Sequence, residues 1–344
     1  MKRIMTYAVS FLMLASMGCQ RIPLYERTTN VNLGLHLNMD INFNPDLSID
    51  TELDAEYAAK VYGKIPEYVE VLFYDKKTHQ LVMSNILKAE GGEISVPVGD
   101  YDMVVYSFGT ESTQVNFLDD RLDAEAYTTD ITKQMASKLS WVKSPDDTTT
   151  KSTTRGYEDD PIIHEPDHLY VANEYDVHIP SMEDRQESVT IYATASTIID
   201  LYSLEVIGLK GTENIEKVEA FITGQVKSNY FGKEQRSLDP ATLYTDMRID
   251  VKNQRLYSIF GTFGKQPGED NHIYLDITVT DSGGGQYRYI FDVTDQFDDP
   301  GNISNKLIID ATEIIDIPEA KYGGGGLAPS VDNWTDEEID IPLT

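Results

Sequence analysis

The chain has 344 residues, with 28 Lys and Arg against 58 Asp and Glu and a formal net charge of -30 at pH 7. Such an acidic chain repels polyanions, which excludes nucleic acid and an anionic lipid surface as partners. Hydrophobic residues make up 40% of the chain and there is one cysteine. The composition therefore predicts a folded body without disulfide bonds.

The N-terminus has the pattern of a lipoprotein signal peptide. Lys2 and Arg3 are followed by a short apolar run, and the small residues 16–18 directly precede Cys19. The run is too short to span a hydrocarbon core of about 30 Å, so a cleaved signal over 1–18 and acylation of Cys19 are favoured over a membrane helix. The alternative is an ordinary secretory signal in which the cysteine is incidental.

Residues 19–30 are polar and irregular, which predicts a tether between the anchor and the first strand. From Val31 to Phe43, apolar and polar residues alternate strictly, as in a half-buried strand. Short strands separated by turn signals follow at 67–74, 80–87, 93–96 and around 103–105. We assign residues 31–180 to an N-terminal β-sandwich domain.

Two segments of this first domain break the strand pattern. Residues 119–139 are the main place where a helix is predicted. Residues 144–160 are rich in Asp, Thr, Ser and Lys, which predicts a mobile surface loop. The short polar stretch at 180–186 is the predicted domain boundary.

The second half repeats the strand signature. Strands are predicted at 189–193, 198–207 and 218–224, with a bulge indicated between Leu201 and Leu204 by a slip in alternation. The clearest hairpin has alternating arms at 273–279 and 287–293 around a glycine-rich loop. Residues 187–344 are assigned to a C-terminal β-sandwich domain, so the fold class predicted is all-β.

The last strand signal is a short alternating segment formed by Ile339, Ile341 and Leu343. Pro342 keeps this segment away from the centre of a sheet, because proline cannot donate to a ladder. Two interpretations remain open. The segment is either an edge strand of its own domain, which we favour, or a strand donated to a partner.

One segment matches a catalytic motif letter for letter. His164-Glu165-Pro166-Asp167-His168 has the H-E-x-x-H pattern of zinc proteases, which requires both imidazoles on one face of a helix. Pro166 lacks an N–H and disfavours helical backbone at Glu165. We therefore predict a turn into the next strand, no metal, no cofactor and no catalysis, with a metal-dependent hydrolase as the remote alternative.

The two tryptophans, Trp141 and Trp334, suggest a second alternative. Flat aromatic rings stack on sugars, so these residues are the candidate contacts of a glycan-binding surface. A structural role in a core or a domain contact is favoured over this one, since the tyrosines near residue 290 alternate like core positions.

Cys19, the stretches 66–74 and 96–106, and the segments 261–264, 291–296 and 331–334 together resemble a family of Bacteroidales outer-membrane lipoproteins. That family is catalogued as a domain of unknown function and is similar to fimbrillin-type pilus subunits. The similarity extends over nearly the whole mature chain.

The resemblance implies two tandem transthyretin-like, Greek-key β-sandwich domains on a lipid anchor at the outer membrane, facing the cell surface. It also implies a fimbrial accessory or anchoring subunit that associates with other pilus subunits by strand exchange. In such exchange, backbone hydrogen bonds provide affinity and alternate side chains set the register.

Overall fold

The computed structural model describes residues 28–38, 60, 65–107, 110–131, 160–181, 189–268 and 271–319. Within these ranges the chain is almost entirely β-structure, which confirms the all-β prediction. The strands are β1 Thr28–Asn38, β2 Tyr68–Asp75, β3 Leu81–Lys88, β4 Gly91–Pro97, β5 Gly99–Ser107, β6 Thr113–Asn116, β7 Glu125–Thr128, β8 Ile162–His164, β9 Tyr170–Ile179, β10 Val189–Thr197, β11 Asp200–Ile207, β12 Ile215–Val226, β13 Ser228–Tyr230, β14 Gln235–Arg236, β15 Pro240–Asp246, β16 Arg248–Asp250, β17 Arg255–Thr262, β18 Tyr274–Asp281, β19 Gln286–Asp292 and β20 Lys306–Asp310.

A short helix, α1, covers Thr294–Asp298, and a 3-10 turn covers Thr212–Asn214. None of the helices in the described ranges has the length and apolar character needed to cross a membrane.

The first sheet contains seven strands in the order β3-β2-β5-β9-β10-β1-β4. Strands β3 and β4 are adjacent in sequence and touch each other, yet they lie at opposite ends of this order. The sheet therefore curls until its ends meet, and it encloses one core. Alternate residues of its strands fill that core: Val31, Leu33, Val69, Val71, Phe73, Ile94, Val96, Met103, Val105, Tyr170, Ala172, Ala193 and Ala195.

Strand β10 completes this sheet. It pairs in parallel with β1, from Val31 opposite Val189 to Asn38 opposite Ser196, and it meets β9 on its other side. The sequence placed residues 189–197 after the predicted boundary at 180–186, whereas their hydrogen bonds lie in the first sheet. The division into two domains stays a prediction. Because β10 follows the predicted boundary but pairs within the first sheet, deletion of β10 tests that boundary.

The second half forms two sheets that pack face to face, as in a sandwich. Their orders are β16-β17-β11-β20 and β19-β18-β12-β15-β8. The apolar residues between the sheets include Leu204, Val206, Ala220, Ile222, Leu243, Leu256, Phe260, Leu275, Ile277, Val279, Leu307 and Ile309. These residues come from both sheets, so the second core is separate from that of the first sheet.

The two halves are joined by elements that change sides. Strands β6 and β7 form a small sheet with β13 and β14 of the second half, in the order β14-β13-β7-β6, so β7 pairs with β13. Strand β8 pairs in parallel with β15. A third core lies at this junction, with Leu72, Tyr74, Val104 and Tyr106 facing Ala126, Val226, Phe231 and Phe263.

Two local predictions are wrong. The described part of the predicted helix at 119–139 is a turn followed by β7, because the Asp120 carboxylate accepts the Leu122 N–H at 2.9 Å and Ala126 enters the junction core. The predicted bulge in β11 is absent, since β11 pairs with β17 in unbroken register. Leu201 and Leu204 are instead both buried, on opposite faces of the strand. The first strand also begins at Thr28, three residues before its predicted start at Val31.

Candidate functional site

Sheet edges are the first candidate surface for binding another chain. The edge strands of the described sheets are β3, β4, β6, β8, β14, β16, β19 and β20. Strands β3, β4 and β19 have seven or eight residues, whereas β6, β8, β14 and β16 have two to four. Long edges are the ones that an extended segment of a partner can extend.

Strand β19 combines length with a row of aromatic side chains. Tyr287, Tyr289 and Phe291 are only half-buried where they pack against the second core. On the opposite face, Arg288 forms a bidentate ion pair with the buried Asp276 of β18. The ion pair fixes β19 on β18, so its outer edge is held in a regular register.

The hairpin turn that leads into β19 is shaped by one carboxylate. Asp281 accepts the Gly283 N–H at 2.8 Å, the Gly285 N–H at 2.7 Å and the Tyr287 hydroxyl at 3.1 Å. These hydrogen bonds hold the pKa of the Asp281 carboxyl below its ordinary value, because they favour the charged form.

The second candidate is a cleft of about 750 Å³ between the first sheet and the sandwich. Tyr68 of β2, Tyr244 of β15 and Gly261 of β17 contribute to its wall, together with the segment His164–His168. Clefts of this size between domains are common ligand sites. The sequence does not identify these tyrosines as site residues, because aromatic residues in strands occur in the same alternating pattern whether they line a cleft or pack in a core.

The segment with the zinc-protease motif runs along this cleft without forming a helix. His164 ends β8, residues 165–169 have no regular structure and β9 begins at Tyr170. His168 uses both ring nitrogens: Nδ1 lies 2.9 Å from the Thr197 hydroxyl and Nε2 donates to the Lys60 carbonyl at 2.8 Å. The imidazole is thus a structural link between elements. No group of three or more His, Cys, Asp or Glu that would suit a metal occurs among the residues described.

Glu165 lies in the floor of the cleft. Its carboxylate accepts hydrogen bonds from the Lys60 ammonium at 3.3 Å through both oxygens. Burial raises the pKa of this carboxyl above its ordinary value, although Lys60, the Thr245 hydroxyl and the Gly261 N–H favour the charged form.

Asp167 is engaged in holding the cleft wall. Its carboxylate accepts the Glu111 and Ser112 N–H groups, while the Ser112 hydroxyl donates to the Glu165 carbonyl at 2.7 Å. The Asp167 carboxylate and the Glu165 main-chain carbonyl therefore fasten the 110–113 loop to this segment, which is a structural role.

The sequence-predicted site residues lie outside the described residues: Cys19, Trp141, Trp334, Ile339, Ile341 and Leu343. The predicted mobile loop at 144–160 also lies outside them except for its last residue. Acylation, sugar contact and strand donation at these positions stay predictions.

The fold defines an all-β protein of packed and curled sheets, several of whose edge strands have no neighbouring strand among the described residues. The chain belongs to the family described as a domain of unknown function, DUF5119, whose model matches residues 48–246. This membership and the similarity to a fimbrium anchoring subunit given below confirm the fimbrillin-like resemblance.

Three relatives illustrate the similarity. A candidate fimbrium anchoring subunit of Bacteroides ovatus, Fim4B, is 24% identical over 323 residues, covering 82% of this chain and 87% of the relative. The crystal structure of a candidate adhesin from the same species has a TM-score of 0.54 at 20% identity, covering 86% of this chain and 97% of that one. The fimbrial anchor protein Mfa2 of Porphyromonas gingivalis has a TM-score of 0.47 at 14% identity, covering 82% and 90%.

Proposed function

We propose that this protein is a non-enzymatic accessory or anchoring subunit of a fimbria. The observation that carries the proposal is the similarity to a candidate fimbrium anchoring subunit, which extends over 82% of this chain and 87% of that relative. The all-β fold, with long edge strands that suit association with extended segments, is consistent with the role.

The anchor in this proposal is a lipid on Cys19. The signal-peptide pattern supports acylation there, and two or three acyl chains hold a protein at a membrane far more firmly than one. The acylated chain is proposed to sit in the outer membrane and face the cell surface, where its edges meet pilus subunits.

Replacing Cys19 by serine in the native strain tests this anchor. The Cys19→Ser protein should lose an alkyne fatty-acid label, and fibres should appear in the medium instead of on the cells. Ser16→Leu, which brings the segment before the cysteine closer to the common lipoprotein pattern, serves as the matched control and should keep both label and attached fibres. Fibres that stay on Cys19→Ser cells would contradict the anchoring role.

The cleft geometry favours glycan binding as a second candidate function. The rings of Tyr68 and Tyr244 and the hydroxyls of Ser112 and Thr245 line it, which is the mixture of aromatic faces and hydrogen-bonding groups that saccharides require. A neutral oligosaccharide array on the purified full chain tests this. Binding that is lost in Tyr68→Ala and Tyr244→Ala, and retained in Trp141→Ala, would place the sugar in the cleft.

The hydrolase alternative is weakened by the geometry at His168. Both of its ring nitrogens are engaged by protein groups, and the motif is not helical. Metal analysis of the purified protein tests the alternative directly. Stoichiometric zinc that disappears in His164→Ala would overturn the non-enzymatic proposal.

A further inference from the structure

The free edge of β20 differs from the other sheet edges because side chains already occupy it. Strand β20 pairs in parallel with β11, where Ile308 lies opposite Glu205. The described part of the chain places no strand on its other side. The N–H and C=O of Ile308 point to that other side and are both hydrogen-bonded to one side chain.

That side chain is Gln296 of α1. Its Nε2 donates to the Ile308 carbonyl at 2.9 Å, and its Oε1 accepts the Ile308 N–H at 2.7 Å. One donor and one acceptor facing a single residue reproduce the hydrogen-bonded pair of an antiparallel ladder. The carboxamide therefore stands where the residue of an added strand would stand.

A second amide continues this cover. The Lys306 N–H donates to Asn302 Oδ1 at 2.8 Å, and Asn302 Nδ2 donates to the Gln296 carbonyl at 3.0 Å. The main-chain groups of Ile308 and the N–H of Lys306 are thus satisfied by α1 and by the loop that follows it. Such cover is one way in which proteins manage an exposed edge.

The sequence of β20 shows which strand fits this edge. It reads Lys306-Leu307-Ile308-Ile309-Asp310. If a second copy pairs antiparallel about Ile308, Lys306 of each copy lies opposite Asp310 of the other, and Leu307 lies opposite Ile309. Opposite charges and matched apolar residues both stabilise cross-strand pairs, and the arrangement is a closed two-fold interface.

Exposure of the strand is compatible with such a dimer. Ile308 is 45% exposed at the centre, and Asp310 is exposed at the end. Lys306 forms an ion pair with Glu205 at 3.2 Å, which holds its side chain on the outer face of the sheet beside the edge.

We infer that β20 is a self-complementary pairing edge for a second copy of this chain, kept closed by Gln296 and Asn302. Release of the Gln296 carboxamide exposes the Ile308 N–H and C=O, and two sheets then join into one through paired β20 strands. The inference concerns self-association and is independent of the fimbrial proposal.

Sedimentation of the purified full chain tests whether the Gln296 side chain keeps the β20 edge from pairing with a second copy. Gln296→Ala keeps the Gln296 main-chain groups that bond to Val293 and Asn302 but removes the carboxamide from the Ile308 N–H and C=O. The weight-average mass of this variant should therefore rise toward two chains while wild type stays lighter. Gln266→Ala is the matched control, because among the described residues that amide donates to the Leu238 carbonyl, at 3.3 Å, and not to β20. Adding Ile308→Pro or Asp310→Lys to Gln296→Ala should restore the lighter species.

The proline variant is informative because the Ile308 N–H points away from β11, so proline there removes no ladder hydrogen bond. A Gln296→Ala protein that sediments like Gln266→Ala, or whose association survives Ile308→Pro, would overturn the inference.

Disulfide trapping gives a second measurement of dimer formation. It does not require the Gln296→Ala protein to fold. In a Cys19→Ser background an introduced cysteine is the sole thiol. A residue opposite itself in a hydrogen-bonded pair has Cα atoms about 5.5 Å apart, within disulfide range. Ile308→Cys should therefore form covalent dimers at least tenfold faster than Ile303→Cys, which is 85% exposed but off the axis. Equal rates would contradict a two-fold axis at Ile308.

Discussion

At the residue scale, the junction between the halves depends on a buried ion pair. Arg121 Nε lies 3.3 Å from Asp102 Oδ2, and both residues are more than nine-tenths buried. The same guanidinium donates to the Gly232 carbonyl at 2.6 Å and lies over the Tyr175 ring. Arg121 thus connects β5 of the first sheet with the turn after β13 of the second half.

Arg121→Ala should lower the free energy of unfolding by about 3–5 kcal/mol, because it leaves the Asp102 carboxylate buried without its partner. Urea unfolding followed by the β-sheet circular dichroism signal measures this loss. Lys76→Ala is the matched control, since the Lys76–Asp176 pair is on the surface, where solvent screening makes the loss of a pair small. Equal losses in both variants would show that the buried pair has no special role.

Asp281 makes stability depend on pH at the β18–β19 turn. Because its folded pKa lies below the ordinary value of 3.8, its contribution is present above that value and is lost as the pH falls through the folded pKa. Asp281→Asn should therefore melt at a lower temperature than wild type at pH 7, and the difference should shrink below pH 3.8. A difference that does not change between pH 7 and the acid limit would contradict this assignment.

At the element scale, the β1–β4 ladder depends on one glycine. Gly91 begins β4 with φ of 93°, and a Cβ there would collide with the Leu33 carbonyl of β1. Its neighbour Gly92 has a nearest contact of 3.6 Å, to Leu87 Cδ2, which leaves room for a methyl group.

Gly91→Ala should therefore cost about 2 kcal/mol or more, from backbone strain and the displaced strand. Gly92→Ala, one residue along, should cost less than about 1 kcal/mol. Chemical denaturation of both variants gives the comparison. Similar costs for both would mean that the edge strand adjusts freely.

Periodicity predicted the elements that are buried on one face. The hairpin of β18 and β19 was predicted within two residues, since its arms alternate and its loop is rich in glycine. Strand β11 was predicted with a bulge because Leu201 and Leu204 are buried on opposite faces, and a strand covered on both sides loses its alternation. Helix propensity at 119–131 was overridden by the Asp120 turn and by the junction core.

The candidate sites were harder to predict. Pairing of β10 with β1 joins residues about 160 positions apart, and no local pattern encodes that contact. The Gln296 cover on β20 is equally invisible, because a glutamine in a short helix has no distinctive sequence signal. The proline in the zinc-protease motif did predict that this segment is not helical.

At the scale of the whole molecule, the chain crosses between its halves several times. Strands β7 and β8 of the first half pair with the second-half strands β13 and β15, and β10 returns to the first sheet. Stability should therefore be shared across the junction, and unfolding should be cooperative over both halves.

A pair of truncations tests whether the first sheet needs β10 to fold. A fragment ending at residue 181 lacks β10, which lies between β9 and β1, and should show weak β-sheet circular dichroism and no cooperative melting. A fragment ending at residue 199 retains β10 and should recover more of the sheet signal. If the shorter fragment melts as cooperatively as the longer one, the predicted boundary at 180–186 would stand.

Crosslinking of intact native cells before lysis tests the proposed attachment of a fimbria to the cell by this protein. The tagged full chain is pulled down after crosslinking and its partners are identified by mass spectrometry. The expected result is recovery of pilin-like subunits with the tagged wild-type chain. Fewer of them should be recovered with the tagged Cys19→Ser variant. Recovery of carbohydrate-uptake components without any pilin would contradict the proposed attachment.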